Sequence, residues 1–260
     1  MLRINEYVRV NSPDEAAGLL KRKNAVIVGG MHWVKMQDRD IAVAIDISNL
    51  SLDTITETDS EYVVGAAVTL RQIETCKSLN TYTNGAIADA VKGIVGVQFR
   101  NTATVGGSIV CRSGFSDVIT AFLALDATLH FYNEGEIRLC DYLKRERFED
   151  LLTSVSIPKK TDRIVIKNIR INATDVSVLN VAVAITDDTL RVVVGARPMI
   201  AKLVERPLKD VITEKENVTT TGLAQAIAAE YDFESNMRGS KEYREHLANV
   251  LITRALEELM

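Results

Sequence analysis

Cysteine is scarce in this chain: Cys76, Cys111 and Cys140 are the only three in 260 residues, and they are widely spaced. An odd, scattered set does not read as a disulfide framework, a zinc site or an iron–sulfur site. Charge of one sign is also missing. The 31 basic and 35 acidic residues leave a net −4, without the basic surplus or stripe that marks a nucleic-acid binder. Lys21-Arg22-Lys23 and Lys144-Arg145-Glu146-Arg147 are short runs that read as solvated faces. No stretch approaches the roughly 20 apolar residues that span a bilayer. Met1-Leu2-Arg3-Ile4-Asn5-Glu6 contains no apolar signal core. The expectation is a cytoplasmic chain with neither nucleic acid nor membrane as a partner.

Several motifs are absent as well. There is no G-x-G-x-x-G after a strand, no G-x-x-x-x-G-K-[ST] and no G-x-S-x-G. His32, His130 and His246 are scattered and lack H-E-x-x-H spacing. No catalytic residue and no metal ligand is therefore assigned.

What is present is ordinary for a soluble globular chain, with 47% hydrophobic and 25% charged residues. The length suits two domains, or one with two lobes. Ser12-Pro13-Asp14-Glu15 predicts a capped helix running through Leu19 and Leu20. The continuous apolar run Ala25-Val26-Ile27-Val28, ending in Gly29-Gly30, predicts a strand buried on both faces, as in a parallel sheet. A similar run spans Ile41 to Ile45, so residues 1–55 read as a small α/β lobe. A strand over Tyr62–Ala66 precedes a second capping box, Thr69-Leu70-Arg71-Gln72, and a helix through Ile73 and Cys76. Residues 85–125 are glycine-punctuated, with an apolar helix beginning around Asp117.

Strand-like runs at 127–132 and 152–157 lead to a boundary near residue 160, where Pro158-Lys159-Lys160-Thr161-Asp162 is polar. Beyond it lie strands at 163–171, 178–186 and 189–195, with Asp187-Asp188 as a hairpin turn. Helices follow at about 205–212, 220–231 and 240–259. Tyr243, Leu247, Val250, Leu251 and Leu256 mark one face of the last.

Two glycine pairs carry the chemistry. Val26-Ile27-Val28-Gly29-Gly30-Met31-His32-Trp33 places one directly after a strand, and Thr104-Val105-Gly106-Gly107-Ser108 places another between hydroxyl residues. Either pair is a tight turn, or a loop whose backbone N–H groups form a concave anion site suited to a diphosphate. Asp117 is open to two readings also. Either Ser116 or Asp117 caps the following helix, or the Asp117 carboxylate accepts from a ribose or ribityl hydroxyl.

The run Gln98-Phe99-Arg100-Asn101-Thr102-Ala103-Thr104-Val105-Gly106-Gly107-Ser108-Ile109, followed by Ser116-Asp117 and Phe122-Leu123-Ala124-Leu125-Asp126-Ala127, resembles the FAD-binding (medium) subunit of molybdenum hydroxylases such as xanthine dehydrogenase and carbon monoxide dehydrogenase. Gly195-Ala196-Arg197-Pro198 and Gly239-Ser240-Lys241-Glu242-Tyr243-Arg244 are similar to its C-terminal domain, so the likeness is collinear over essentially the whole chain. The resemblance implies an α+β fold. A FAD-binding unit over residues 1–158, with subdomains of about 1–55 and 56–158, is followed at 159–260 by an antiparallel sheet with a helical bundle.

By the same resemblance, Val26 to Trp33 (Val26, Ile27, Val28, Gly29, Gly30, Met31, His32, Trp33) and Thr104 to Ser108 (Thr104, Val105, Gly106, Gly107, Ser108) wrap the FAD diphosphate. Asp117 falls on the flavin-contacting carboxylate, Lys167 on a basic residue near the flavin, Leu152 on a backbone contact and Ile94 on a side chain against the isoalloxazine. The chain departs from the pattern at Arg112-Ser113-Gly114-Phe115, where Ser-Pro is frequent. It departs again at Ser108, in place of the commoner Asn, and at Met31-His32-Trp33. The function implied is an oxidoreductase subunit in which electrons from a molybdenum subunit and a [2Fe–2S] subunit reach FAD and leave to an acceptor such as NAD. Two rivals are a self-contained FAD-dependent oxidoreductase and a non-enzymatic nucleotide-binding scaffold.

Overall fold

The computed structural model describes the backbone of residues 1–260 and every side chain except those of Asp162, Lys215, Glu216 and Asn217. The N-terminal part is built on parallel strands. Tyr7–Arg9 and Ala25–Val28 flank Val43–Asp46, all three parallel. Only the central strand is buried throughout. Ala25–Val28 is half-buried because it forms the edge of the sheet, so the expectation of two covered faces fails for it. Helix Pro13–Leu20 packs Ala16 and Leu20 on Val43 and Ile45. Its Ser12 hydroxyl accepts the Glu15 N–H at 3.2 Å, while the Glu15 carboxylate reaches past the cap to the Asn11 N–H at 2.9 Å.

A second sheet is antiparallel, in the order Ile55–Glu57, Glu61–Gly65, Leu152–Pro158, Thr128–Phe131, Gly135–Arg138. Helix Leu70–Thr75 opens with the reciprocal box its sequence predicts. Gln72 N–H donates to Thr69 Oγ1 at 3.2 Å, and Thr69 N–H donates to Gln72 Oε1 at 2.8 Å. The glycine-punctuated stretch contains short helices that sequence periodicity does not reveal: Ala86–Val91, Val97–Arg100 and Val105–Val110. Helix Asp117–Ala124 follows and is buried along its whole length.

The third sheet is a meander of Thr161–Ile169, Leu179–Thr186, Thr189–Gly195 and Lys202–Pro207. Asp187 and Asp188 turn the central hairpin with φ of 45° and 57°, a two-residue turn matched to strand twist. A helix is expected from 205, yet Lys202–Pro207 pairs with Thr189–Val194 and the helix starts only at Leu208. An unpaired sheet edge outweighs the local helical preference there. Helix Lys241–Leu259 also differs from the expected face. Tyr243 is exposed and Val250 half-buried, while Arg244, Ala248, Ile252 and Ala255 join Leu247, Leu251 and Leu256 against the meander. Small alanines let the helix lie close to the sheet, and a count of large apolar residues overlooks them.

Packing is continuous across the polar stretch near residue 160. Val118, Phe122 and Ala124 share one core with Ile164, Ile166, Ala182, Ala184 and Val193. Helix Asp117–Ala124 thus lies under the meander, with its first residue at the seam. Among the described residues no helix is long and apolar enough to cross a membrane. All three cysteines are free thiols.

Candidate functional site

An open cleft lies between the loop leaving Ala25–Val28, the N-terminus of helix Val105–Val110, the 94–99 segment, and residues 113–118. Asp175 and Val176, beyond the polar stretch, close one side. The structure brings Ile27, Gly29, Gly30, Met31, His32, Trp33, Ile94, Thr104, Gly107, Ser108 and Asp117 to this cleft. It does not bring six others there. Val26 and Val28 sit within the edge strand, opposite Ala44 and Asp46. Val105 and Gly106 are buried beneath the helix start. Leu152 is a buried strand residue opposite Phe131. Lys167 stands on the first strand of the meander, its ammonium on Glu258, in a separate hollow with Lys92 and Arg170.

The two glycine pairs do different work, contrary to the expectation that both offer free donors. At the second pair every N–H of the first turn is used internally. Val105 donates to Val68 O at 2.8 Å, Gly106 to Ala66 O at 2.9 Å and Ser108 to Thr104 O at 3.0 Å. Gly107 donates to the capping hydroxyl of Thr104 at 3.1 Å. Gly106 is there for closeness, since a Cβ on it would lie 2.7 Å from Ala66 O.

The first pair differs in leaving backbone donors free. Among the described residues the backbone N–H groups of Gly30, Met31, His32 and Trp33 have no protein acceptor. Met31 is left-handed at φ 58°, the kind of conformation that gathers successive N–H groups into a concave anion site. A Cβ on Gly30 would lie 2.3 Å from Thr102 O, so only glycine lets this loop pack so tightly.

The rest of the cleft is apolar and aromatic. The rings of Trp33 and Phe115 meet at 5.4 Å, and those of His32 and Phe99 at 3.9 Å. Burial, with Lys35 nearby, pushes the His32 imidazole below its ordinary pKa, and its Nε2 is 2.7 Å from Thr102 Oγ1. Phe115 belongs to the segment where the sequence departs from the family pattern. Here it supplies ring surface. Val95 lines the cleft at φ 49°, a strained conformation for a β-branched residue.

Asp117 is not the cap. Ser116 caps the helix by accepting the Ile119 N–H at 3.2 Å. The Asp117 carboxylate accepts from Ser177 Oγ at 2.6 Å, Asn180 Nδ2 at 2.9 Å and Arg170 Nη2 at 2.7 Å. Burial pushes this carboxyl up, and Arg170, Ser177 and Asn180 pull it down. A carboxylate has about four lone-pair sites. These donors leave one on Oδ2 without a protein partner among the described residues. Arg170, Ser177 and Asn180 lie more than fifty residues away in sequence and carry no local motif, so sequence reading misses them.

A row of free backbone N–H groups, an apolar aromatic wall and one spare carboxylate lone pair together suit a dinucleotide with a ring system. Comparison with known proteins identifies the class. Residues 2–160 match the family model described as FAD binding domain in molybdopterin dehydrogenase, and residues 165–259 match CO dehydrogenase flavoprotein C-terminal domain. The chain belongs to this family, and its cofactor is FAD.

Among relatives, YgfM of Escherichia coli strain K12 is 26% identical over 253 residues, 96% of this chain and 94% of that one. The nicotinate dehydrogenase FAD-subunit of Eubacterium barkeri is 29% identical over 155 residues, 55% of this chain and 52% of that one. The fold is that of chains in two solved structures. One is carbon monoxide dehydrogenase from Hydrogenophaga pseudoflava, with a TM-score of 0.82 at 19% identity. The other is quinoline 2-oxidoreductase from Pseudomonas putida 86, with 0.82 at 18%. Each alignment covers 98% of this chain and 96% of the other.

Proposed function

We propose that this chain is the electron-transfer flavoprotein subunit of a multi-subunit molybdenum hydroxylase, made of a FAD-binding domain over 1–158 and a C-terminal domain over 159–260. The free N–H row from Gly30 to Trp33, in a cleft of matching character, is the observation that carries this reading. In it, Gly30, Met31, His32 and Trp33 hold the diphosphate. Asp117 accepts one hydroxyl. Ile94, Val95, Phe99 and Phe115 keep water from the ring system. Bound FAD supplies the exchange between one-electron and two-electron partners, and the protein positions the ring and tunes it.

Substrate oxidation belongs to partners in this account. Three cysteines cannot supply the four thiolates of one [2Fe–2S] cluster, so a [2Fe–2S] subunit and a molybdenum-cofactor subunit deliver the electrons. A heterocycle or aldehyde, as for xanthine dehydrogenase, is the substrate class on the molybdenum side. Electrons leave to an acceptor such as NAD, in the cytoplasm. The test of cofactor binding is direct. Denaturing the purified chain releases a yellow chromophore that mass spectrometry identifies as FAD. FMN, or no flavin after reconstitution, contradicts the reading.

A further inference from the structure

We infer that Arg170 is a positioning residue for the flavin, one guanidinium that sets three walls of the cleft at once. The inference rests on the FAD reading above. The side chain is 7% exposed, and each of its nitrogens has its own partner. Nη2 donates to Asp117 Oδ2 at 2.7 Å, Nε donates to the Asp175 carbonyl at 3.0 Å, and Nη1 donates to Asn168 Oδ1. Asp117 and Asp175 both line the cleft, from opposite sides of the polar stretch near residue 160.

The third wall is met face-on. A Cβ on Gly93 would lie 3.1 to 3.3 Å from Cζ, Nη1 and Nε of Arg170, so the plane of the guanidinium rests on the Gly93 backbone. Gly93 opens the loop that carries Ile94 and the strained Val95 into the cleft. Arg100 holds the same loop at its middle, donating Nη1 to the Ile94 carbonyl at 3.1 Å while Glu74 takes its other nitrogens at 2.7 and 3.1 Å. A strained loop keeps its shape only where its surroundings over-determine it. Here Arg170 braces one end and Arg100 the middle.

The consequence is specific to the planar fork. Lysine keeps the charge for Asp117 but has no face to lay on Gly93 and no fixed set of donors for Asp175 and Asn168. Arg170→Lys should therefore fold and still loosen all three walls. Gly93→Ala displaces the same guanidinium from the other side without touching its charge. Its backbone is not in the left-handed region, so alanine brings no strain of its own.

The experiment measures FAD affinity and the visible spectrum of the bound flavin for wild type, Arg170→Lys, Gly93→Ala and the double variant, with the melting temperature of each apoprotein. The expected result is an FAD dissociation constant raised about tenfold or more in each single variant. The flavin absorption band should shift and the apoprotein melting temperature hold. In the Arg170→Lys background, Gly93→Ala should add little, because both act through one contact. Wild-type affinity and an unshifted band in both single variants would overturn the inference. So would an unchanged affinity with a lowered apoprotein melting temperature, which is the signature of packing alone. A wild-type chain that binds no FAD would instead overturn the cofactor reading, so the two failures are distinct.

Discussion

The Thr104 hydroxyl stands 2.9 Å from where a Cβ on Gly29 would be, and it accepts the Gly107 N–H at 3.1 Å. One hydroxyl thus caps the helix of the second glycine pair and fills the space the first pair leaves. The two loops are coupled through it, although among the described residues the free N–H groups belong to the first. Gly30→Ala should break this arrangement, since its Cβ would fall 2.3 Å from the Thr102 carbonyl oxygen. Equilibrium dialysis should show FAD retention lost, with the far-UV spectrum of the folded chain preserved.

Asp117→Ala should cost far more than a lost helix cap. Removing the carboxylate leaves the Arg170 guanidinium buried without a counter-charge, worth about 3–5 kcal/mol, against about 1 kcal/mol for a cap. Urea unfolding of the apoprotein separates the two. A loss near the smaller figure would mean that the Arg170 guanidinium does not depend on Asp117 for its counter-charge.

How far the sequence reveals this site follows from what is local in it. The Thr69 box, the Asp187-Asp188 turn and the parallel strands are legible because their signals lie within a few residues. The turn at Gly29-Gly30 is legible too, as a Gly pair directly after an apolar run. The role of the second pair is not, because it depends on carbonyls of Ala66 and Val68 brought in by another strand's exit. Asp117 is ambiguous in sequence for the same reason. Its partners lie beyond the polar stretch, Arg170 and Ser177 in the loop between the first two strands of the meander and Asn180 on the second strand. Lys167, carried over by resemblance, lies three residues from Arg170, but its ammonium meets Glu258 outside the cleft.

Trp33 is the only tryptophan in the chain, and it lines the cleft against Phe115. Its emission should fall as FAD is titrated into flavin-free protein, saturating at one equivalent. Phe115→Ala should weaken FAD binding and change the emission of the apoprotein. Emission that ignores FAD would remove Trp33 from the binding surface.

Stability should fall in acid through Asp46. Burial pushes this carboxyl up, but hydrogen bonds from Tyr7, Ser48 and Arg9 outweigh that and leave its pKa lowered to about 2. The native state therefore binds fewer protons than the unfolded chain. Its contribution, about 2 kcal/mol, is present above the ordinary Asp value of 3.8 and is lost as pH falls towards 2. Asp46→Asn should flatten that part of the stability profile measured by urea unfolding between pH 5 and pH 2.

The central claim, a flavin subunit that receives electrons rather than a self-contained oxidase, is tested most directly by anaerobic stopped-flow absorbance of the flavin band. The FAD-loaded chain alone should show no bleaching with purine or aldehyde substrates, and addition of the cluster-bearing and molybdenum-bearing subunits should bring substrate-dependent bleaching. Reduction of the lone chain by such a substrate at catalytic rates would contradict the account.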